Sequence, residues 1–179
     1  RLTDVTGVQT CALPIYFAVG KTSLVRRFVY DEFSDSYLTT VGVKVTKKDI
    51  SIEQDNISLL LWDIAGSDRF SPVTPEYLRG ASGAIVVADL TRGSSIDSIR
   101  THLDLILSIN PSAGIVVALN KLDLVKKSDE RLAYMKSDEF RNGLSGSPLI
   151  HFTSAMSGEN VEELFLSIAE KIRKASPDE

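Results

Sequence analysis

Val19-Gly20-Lys21-Thr22-Ser23, at the mouth of an amphipathic stretch, decides how the rest of the chain is read. The first turn of a helix carries backbone N–H groups without partners and a partial positive charge. A glycine there lets the backbone approach an anion. A lysine can reach β- and γ-phosphates, and a threonine hydroxyl can hold Mg²⁺. Gly20, Lys21 and Thr22 thus match the second half of the pattern G-x-x-x-x-G-K-[S/T], with Ala18, Val19 and Ser23 beside them. The first glycine of that pattern belongs at position 15, where the chain has Ile15. Gly-Lys-Thr also begins many helices that bind nothing, so its weight rests on the residues C-terminal to it.

Downstream, buried-looking β-branched runs alternate with helical patterns. A helix is expected over 22–32, with Leu24, Val25, Phe28 and Val29 at helical spacing. A polar loop follows over 31–41. Strands over 43–53 and 57–62 flank a turn at 54–56 and make an antiparallel hairpin. A loop over 65–75 leads to a buried strand over 83–88 and a helix over 94–109. A second buried strand over 114–118 precedes a charged helix over 129–140. A short strand over 149–152 and a last helix over 160–174 close the pattern. This predicts an α/β fold: a mostly parallel six-stranded sheet with one antiparallel hairpin and helices on both faces. Ligands of such sheets bind at the carboxyl ends of the strands.

The polar motifs fall at those ends. Asp63-Ile64-Ala65-Gly66 follows a strand directly. Asp63 there can hold a Mg²⁺ water, and Gly66 can offer an N–H to a γ-phosphate. A plain turn explains the same letters. Asn120-Lys121-Leu122-Asp123 follows the second buried run. The Asp123 carboxylate can accept two hydrogen bonds from guanine, a donor pair that adenine lacks. Asn120 can tie the base to the phosphate loop, and the Lys121 stem can cover the ring. A solvated loop is the alternative reading, but N-K-x-D after a buried strand is specific. Thr153-Ser154-Ala155 follows the last strand, where backbone N–H groups can meet the guanine carbonyl oxygen. Thr40, before the hairpin, either completes a Mg²⁺ shell or merely starts a strand.

Composition bounds these readings. With 179 residues, 43% hydrophobic and 25% charged, the chain suits one domain with a full core. A net charge of −4 and a pI near 5.3 argue against a nucleic-acid partner but not against a nucleotide site. No run approaches the roughly 20 apolar residues of a membrane span. Cys11 is the sole cysteine, which excludes a disulfide framework and a cysteine metal cluster, and the end of the chain offers none for lipidation. A cytoplasmic monomer is expected.

The segment 1–15, RLTDVTGVQTCALPI, stands apart. Positions 8–15 are apolar enough for a strand, but Pro14 cannot donate to a central ladder. Its VTGVQTCALPI stretch resembles the translation of a common short-read sequencing adapter. An adapter ending one T past the Ile15 codon would turn a GAT or GAC aspartate codon into the tyrosine found at Tyr16. The reading is a foreign 1–15 fused to a truncated gene, a domain over 16–175 and a short tail over 176–179. A first strand and loop glycine would then be replaced by foreign sequence, and the segment is set aside from fold reasoning. A natural, divergent N-terminus is the alternative.

Taken together, GKTSLVRRF, YLTTVGV, LLWDIAGSDRF, YLRGASGAIVVADLT, ALNKLD and TSAMSGENVEELF resemble a small GTPase of the Ras superfamily, closest to the Rab-like branch. The resemblance runs from about Phe17 to Lys174. It implies a GTP-dependent switch that hydrolyses GTP to GDP with Mg²⁺, through mobile loops at 31–42 and 65–79. By position, it implies that Lys21 meets the β- and γ-phosphates, that Thr22 and Thr40 ligate Mg²⁺, and that Asp63 orients a Mg²⁺ water. Ser23 lies near the α-phosphate, Gly66 senses the γ-phosphate, Phe33 packs on the base edge and Tyr37 covers the phosphates. Effectors, exchange factors and activating proteins would dock on 31–45 and 62–79.

Four departures stand out. Ile15 should crowd the phosphates or the loop's turn. Ser67 stands where the family usually has the glutamine that orients the attacking water, which predicts slow intrinsic hydrolysis and dependence on a partner's arginine, worth about 10³–10⁵ in rate. Val45 replaces an aromatic used for partner binding, while Trp62 and Tyr77 remain, either for that role or for core packing. Met156 replaces a lysine whose stem packs under the base, a role that its own stem can fill. The alternatives to a GTPase are a guanine-nucleotide-dependent scaffold with little hydrolysis, or a damaged copy that binds no nucleotide.

Overall fold

Gly83–Asp89 (GAIVVAD) and Gly114–Asn120 (GIVVALN) are buried at every position. Continuous burial is what strands covered by helices on both faces require. The computed structural model describes residues 5–13, 18–34, 40, 42–64 and 75–175. In chain order they form β1 Val5–Leu13, α1 Lys21–Tyr30, β2 Val43–Ile52, β3 Asp55–Ile64, α2 Pro75–Arg79, β4 Gly83–Asp89 and α3 Gly93–Asp97. There follow α4 Ile99–Ile109, β5 Gly114–Asn120, a 3₁₀ turn Leu122–Leu124, α5 Glu130–Lys136, α6 Asp138–Asn142, β6 Leu149–Phe152 and α7 Val161–Ala175. The sheet order is β2-β3-β1-β4-β5-β6. Only the β2–β3 pair is antiparallel. This is the six-stranded, mostly parallel architecture that the alternating pattern predicts.

β1 is the element that sequence reasoning set aside. Residues 5–13 run parallel to both β3 and β4, with Cys11 opposite Leu61 and Gly83. Cys11 and Ala12 are wholly buried. Small apolar side chains fit the centre of a doubly covered sheet, and Pro14 is outside the described residues.

The pleat sends alternate residues to two cores. Ile85, Val87, Val116 and Ala118 meet Leu24 and Val25 of α1 and Phe165, Ile168 and Ile172 of α7. Ala84, Val86, Val117 and Leu119 meet Leu103 and Ile106 of α4, with Met135 and Phe140. Each such large apolar side chain contributes about 1.5–3 kcal/mol on burial. Phe28 stacks on Phe165 with centroids 4.2 Å apart, which locks α1 to α7. Gly83 permits close approach of α7, since any Cβ there would run into the Ile172 side chain.

Several boundaries differ from the sequence reading, for local reasons. The hairpin turn is Glu53-Gln54, not 54–56, because Ile52 pairs with Asp55. Glu53 takes φ 56°, as a tight two-residue turn demands. The helix expected over 94–109 divides at Ser98, where the Ser95 and Ser98 hydroxyls donate to the carbonyls of Arg92 and Ser95. The helix expected over 129–140 divides at Ser137, which ends α5 in extended backbone and accepts from the Phe140 N–H to start α6. α2 lies where sequence reasoning ended a loop.

Candidate functional site

The carboxyl ends of β1, β3, β4 and β5 converge on the N-terminus of α1 at the point where strand order reverses around β1, the place where open α/β sheets bind ligands. Gly20 opens the helix in left-handed backbone, φ 95°, which glycine adopts without strain. A Cβ there would collide with the Asn120 amide. Lys21 is 6% exposed. Burial, and to a lesser degree the charge of Arg92, push its ammonium down to about 8 against the pull of Asp63.

Thr22, Thr40 and Asp63 meet at one point. The Thr22 hydroxyl donates to Asp63 Oδ2 at 2.6 Å and lies 2.7 Å from the Thr40 hydroxyl. Thr40 is thereby drawn to α1 rather than serving β2 alone. Asp63 is buried at the end of β3, and its Oδ1 has no hydrogen-bond partner among the described residues. Burial raises its pKa, opposed by Thr22 and Lys21. One carboxylate, with one of its oxygens buried and spare, and two hydroxyls form a hard oxygen donor set at the mouth of α1. That set fits magnesium, which favours one or two carboxylates together with phosphate and water.

The other side of the site is built by β5 and the loop after β6. Asn120 Nδ2 donates to the Val19 carbonyl at 2.9 Å. Its Oδ1 accepts from the Ala155 N–H at 3.2 Å and from the Thr153 hydroxyl at 3.3 Å. Ser154 Oγ donates to Asp123 Oδ1 at 2.5 Å. Asn120, Asp123, Ser154 and Ala155 are therefore one hydrogen-bonded unit joined to the phosphate loop. Lys121, in left-handed backbone with φ 68°, reaches Asp89 Oδ2 at 2.7 Å. Ala18 and Ser23 are partly buried at the helix mouth, while Phe33 and Met156 are exposed. Ile15, Tyr16, Tyr37, Gly66 and Ser67 lie outside the described residues.

Two contributors were missed. Asp89 ends β4 directly opposite Asn120. It is almost wholly buried and binds Lys121, Arg92 and Thr91. Burial raises its pKa, but these partners outweigh it and hold the carboxyl below its ordinary value. A carboxylate after a buried run was the signal for it. Arg27 reaches the loop after β6 across 128 positions, and no local pattern announces that.

On the neighbouring surface, Val45 is 49% exposed opposite Trp62 in the β2–β3 ladder. Trp62 meets Tyr77 with centroids 5.7 Å apart, and both also pack on the core.

The sequence relationships agree with this geometry. A model of the Ras family matches residues 16–174. The chain is 39% identical over 158 residues to the GTP-binding protein ypt5 of Schizosaccharomyces pombe, covering 87% of this chain and 73% of that protein. It is 35% identical over 162 residues to the Ras-related protein Rab-1C of Dictyostelium discoideum, covering 89% and 78%. It is 36% identical over 161 residues to the GTP-binding protein YPT53 of Saccharomyces cerevisiae, covering 87% and 72%. The chain belongs to the Ras family, as a Rab-like small GTPase.

Proposed function

We propose that this chain is a guanine-nucleotide switch that binds GTP with Mg²⁺ and hydrolyses it to GDP and phosphate. The observation that carries the reading is the meeting of Thr22, Thr40 and the buried Asp63 beside Lys21 at the mouth of α1. Lys21 supplies a desolvated positive charge for the β- and γ-phosphates, and the first turn of α1 supplies N–H donors. Thr22, Thr40 and Asp63 would hold Mg²⁺, which when bound neutralises charge developing on the phosphate oxygens. Asp123, set by Ser154, selects guanine.

Thr40's hold on the site would make 31–42 responsive to the γ-phosphate, with Gly66 acting for the second loop. Partners would read these changes on 31–45 and 62–79, where Val45, Trp62 and Tyr77 present an apolar surface.

Titration of the 179-residue chain with GTP and Mg²⁺, with ATP as competitor, tests the reading. Tight, ATP-resistant binding is expected, and an Asp123→Ala variant should lose the preference for GTP. Absence of binding would mark a damaged copy, and Ile15→Gly with Tyr16→Asp should then restore it. Ser67 supports slow hydrolysis. Single-turnover phosphate release should be slow and should quicken in Ser67→Gln. Appreciable release from the unmodified chain would exclude the scaffold reading.

A further inference from the structure

Arg27 lies in the body of α1, the helix whose first turn carries Gly20 and Lys21. Its guanidinium crosses to the loop after β6. Nε donates to the Ala155 carbonyl at 3.0 Å and Nη2 to the Met156 carbonyl at 2.7 Å. Nη1 donates to the Asp31 carbonyl at 3.1 Å and to Asp31 Oδ1 at 3.0 Å. The side chain is 18% exposed. A planar fork laid on two successive carbonyls is a geometry that arginine alone provides, with charge-assisted strength.

The loop it grips is the one that faces the base. Ser154 Oγ donates to Asp123, the Ala155 N–H donates to Asn120, and the Ser157 N–H donates back to Ser154 Oγ. These bonds shape the loop from within and tie it to β5. Arg27 hydrogen-bonds it to α1, beside the apolar packing of Ala155 in the core of Leu24 and Val25. Asp31, held by the same guanidinium, begins the segment that carries Phe33.

Building on the nucleotide reading above, we propose that Arg27 is a positioning residue for base recognition: by clamping the Ala155 and Met156 carbonyls it fixes the Ser154–Asp123 edge and so sets the preference for GTP over ATP.

The test is competition between GTP and ATP, with Mg²⁺, for the unmodified chain and for R27A and R27K, each also in a D123A background. R27A should lower the GTP-over-ATP preference about tenfold, the equivalent of one charge-assisted hydrogen bond. R27K keeps the charge but not the fork and should fall between. In the D123A background R27A should change the preference no further, because both act through the same edge. A merely structural role would weaken GTP and ATP in equal proportion. That result, or an unchanged preference in both variants, overturns the proposal. If R27A does not fold, R27K carries the same comparison. If the unmodified chain does not bind GTP, the same comparison is made in the Ile15→Gly, Tyr16→Asp chain, and failure of that chain to bind GTP would overturn the nucleotide reading itself, and this inference with it.

Discussion

Asn120 Nδ2 donates to the carbonyl of Val19 at 2.9 Å, joining residues 101 positions apart and stapling the end of β5 to the mouth of α1. Both groups are buried. Asn120→Ala should therefore leave the Val19 carbonyl and the Ala155 N–H unpaired. A loss of about 3 kcal/mol in urea denaturation is expected, together with a fall in GTP affinity measured by titration.

Gly20 is the neighbour that makes this contact possible. Gly20→Ala places a Cβ against the Asn120 amide in backbone of φ 95°. The expected cost is about 1–3 kcal/mol, with weakened nucleotide binding. The Gly20→Ala, Asn120→Ala double variant should lose less than the sum of the two, because the second change removes what the first strikes. A denaturation cycle reads this directly, and full additivity would show that the clash costs little.

Lys21 gives the site a pH dependence. Its pKa of about 8 in the free protein lies below the ordinary 10.5. A bound phosphate favours the protonated form, so binding takes up a proton wherever Lys21 has lost one beforehand. Affinity for GTP should hold level below about pH 8 and fall by about tenfold per pH unit above it. Titrations between about pH 7 and 9 with proton-uptake measurement check this. Free-protein stability should move the other way, rising from about pH 8 towards 10.5, because the unfolded chain keeps the proton longer.

His102 and His151 add a second window. Burial lowers both below the ordinary 6.5, and His151 Nε2 is buried without a partner among the described residues. As pH falls, the unfolded chain takes up these protons first. Stability should therefore be complete above pH 6.5 and decline as pH drops through and below it. Denaturation midpoints on either side of that pH test this, and a flat profile there would contradict it.

Asp89 gathers Lys121 at 2.7 Å and Arg92 at 2.9 Å. Asp89→Asn keeps the shape but removes the charge. Because both cations are about one-third exposed, water screens the loss, and about 1–2 kcal/mol of stability is expected to go. GTP affinity should fall as well, since the Lys121 stem is then no longer held. Thermal melts and titration of the one variant separate the two effects.

The one-dimensional order of the chain carried a good deal by itself. Two all-apolar, β-branched runs ending in Asp89 and Asn120 have to be covered on both faces, and that alone calls for a parallel sheet between helices. Gly-Lys-Thr, Asp63, and Asn120 with Asp123 are legible because each is a local pattern whose chemistry depends on neighbours in sequence: a helix mouth, or a strand end. Helix ends were less legible, since Ser98 and Ser137 divide their helices by hydroxyl bonds that compete with propensity only once the backbone has a place to turn. The strand Val5–Leu13 was set aside at the level of sequence, and its pairing with β3 and β4 depends on residues 50 or more positions away.

What the tertiary structure decided is proximity. Thr40 could start a strand or complete a metal shell, and only the tertiary structure brings its hydroxyl to 2.7 Å from that of Thr22, which itself bonds Asp63. Arg27 reads as one more charge on an amphipathic helix until the loop after β6 folds over it. Contacts across a hundred residues are set by how the sheet orders its strands and how closely α1 and α7 pack together, and neither is written in any single stretch of the chain.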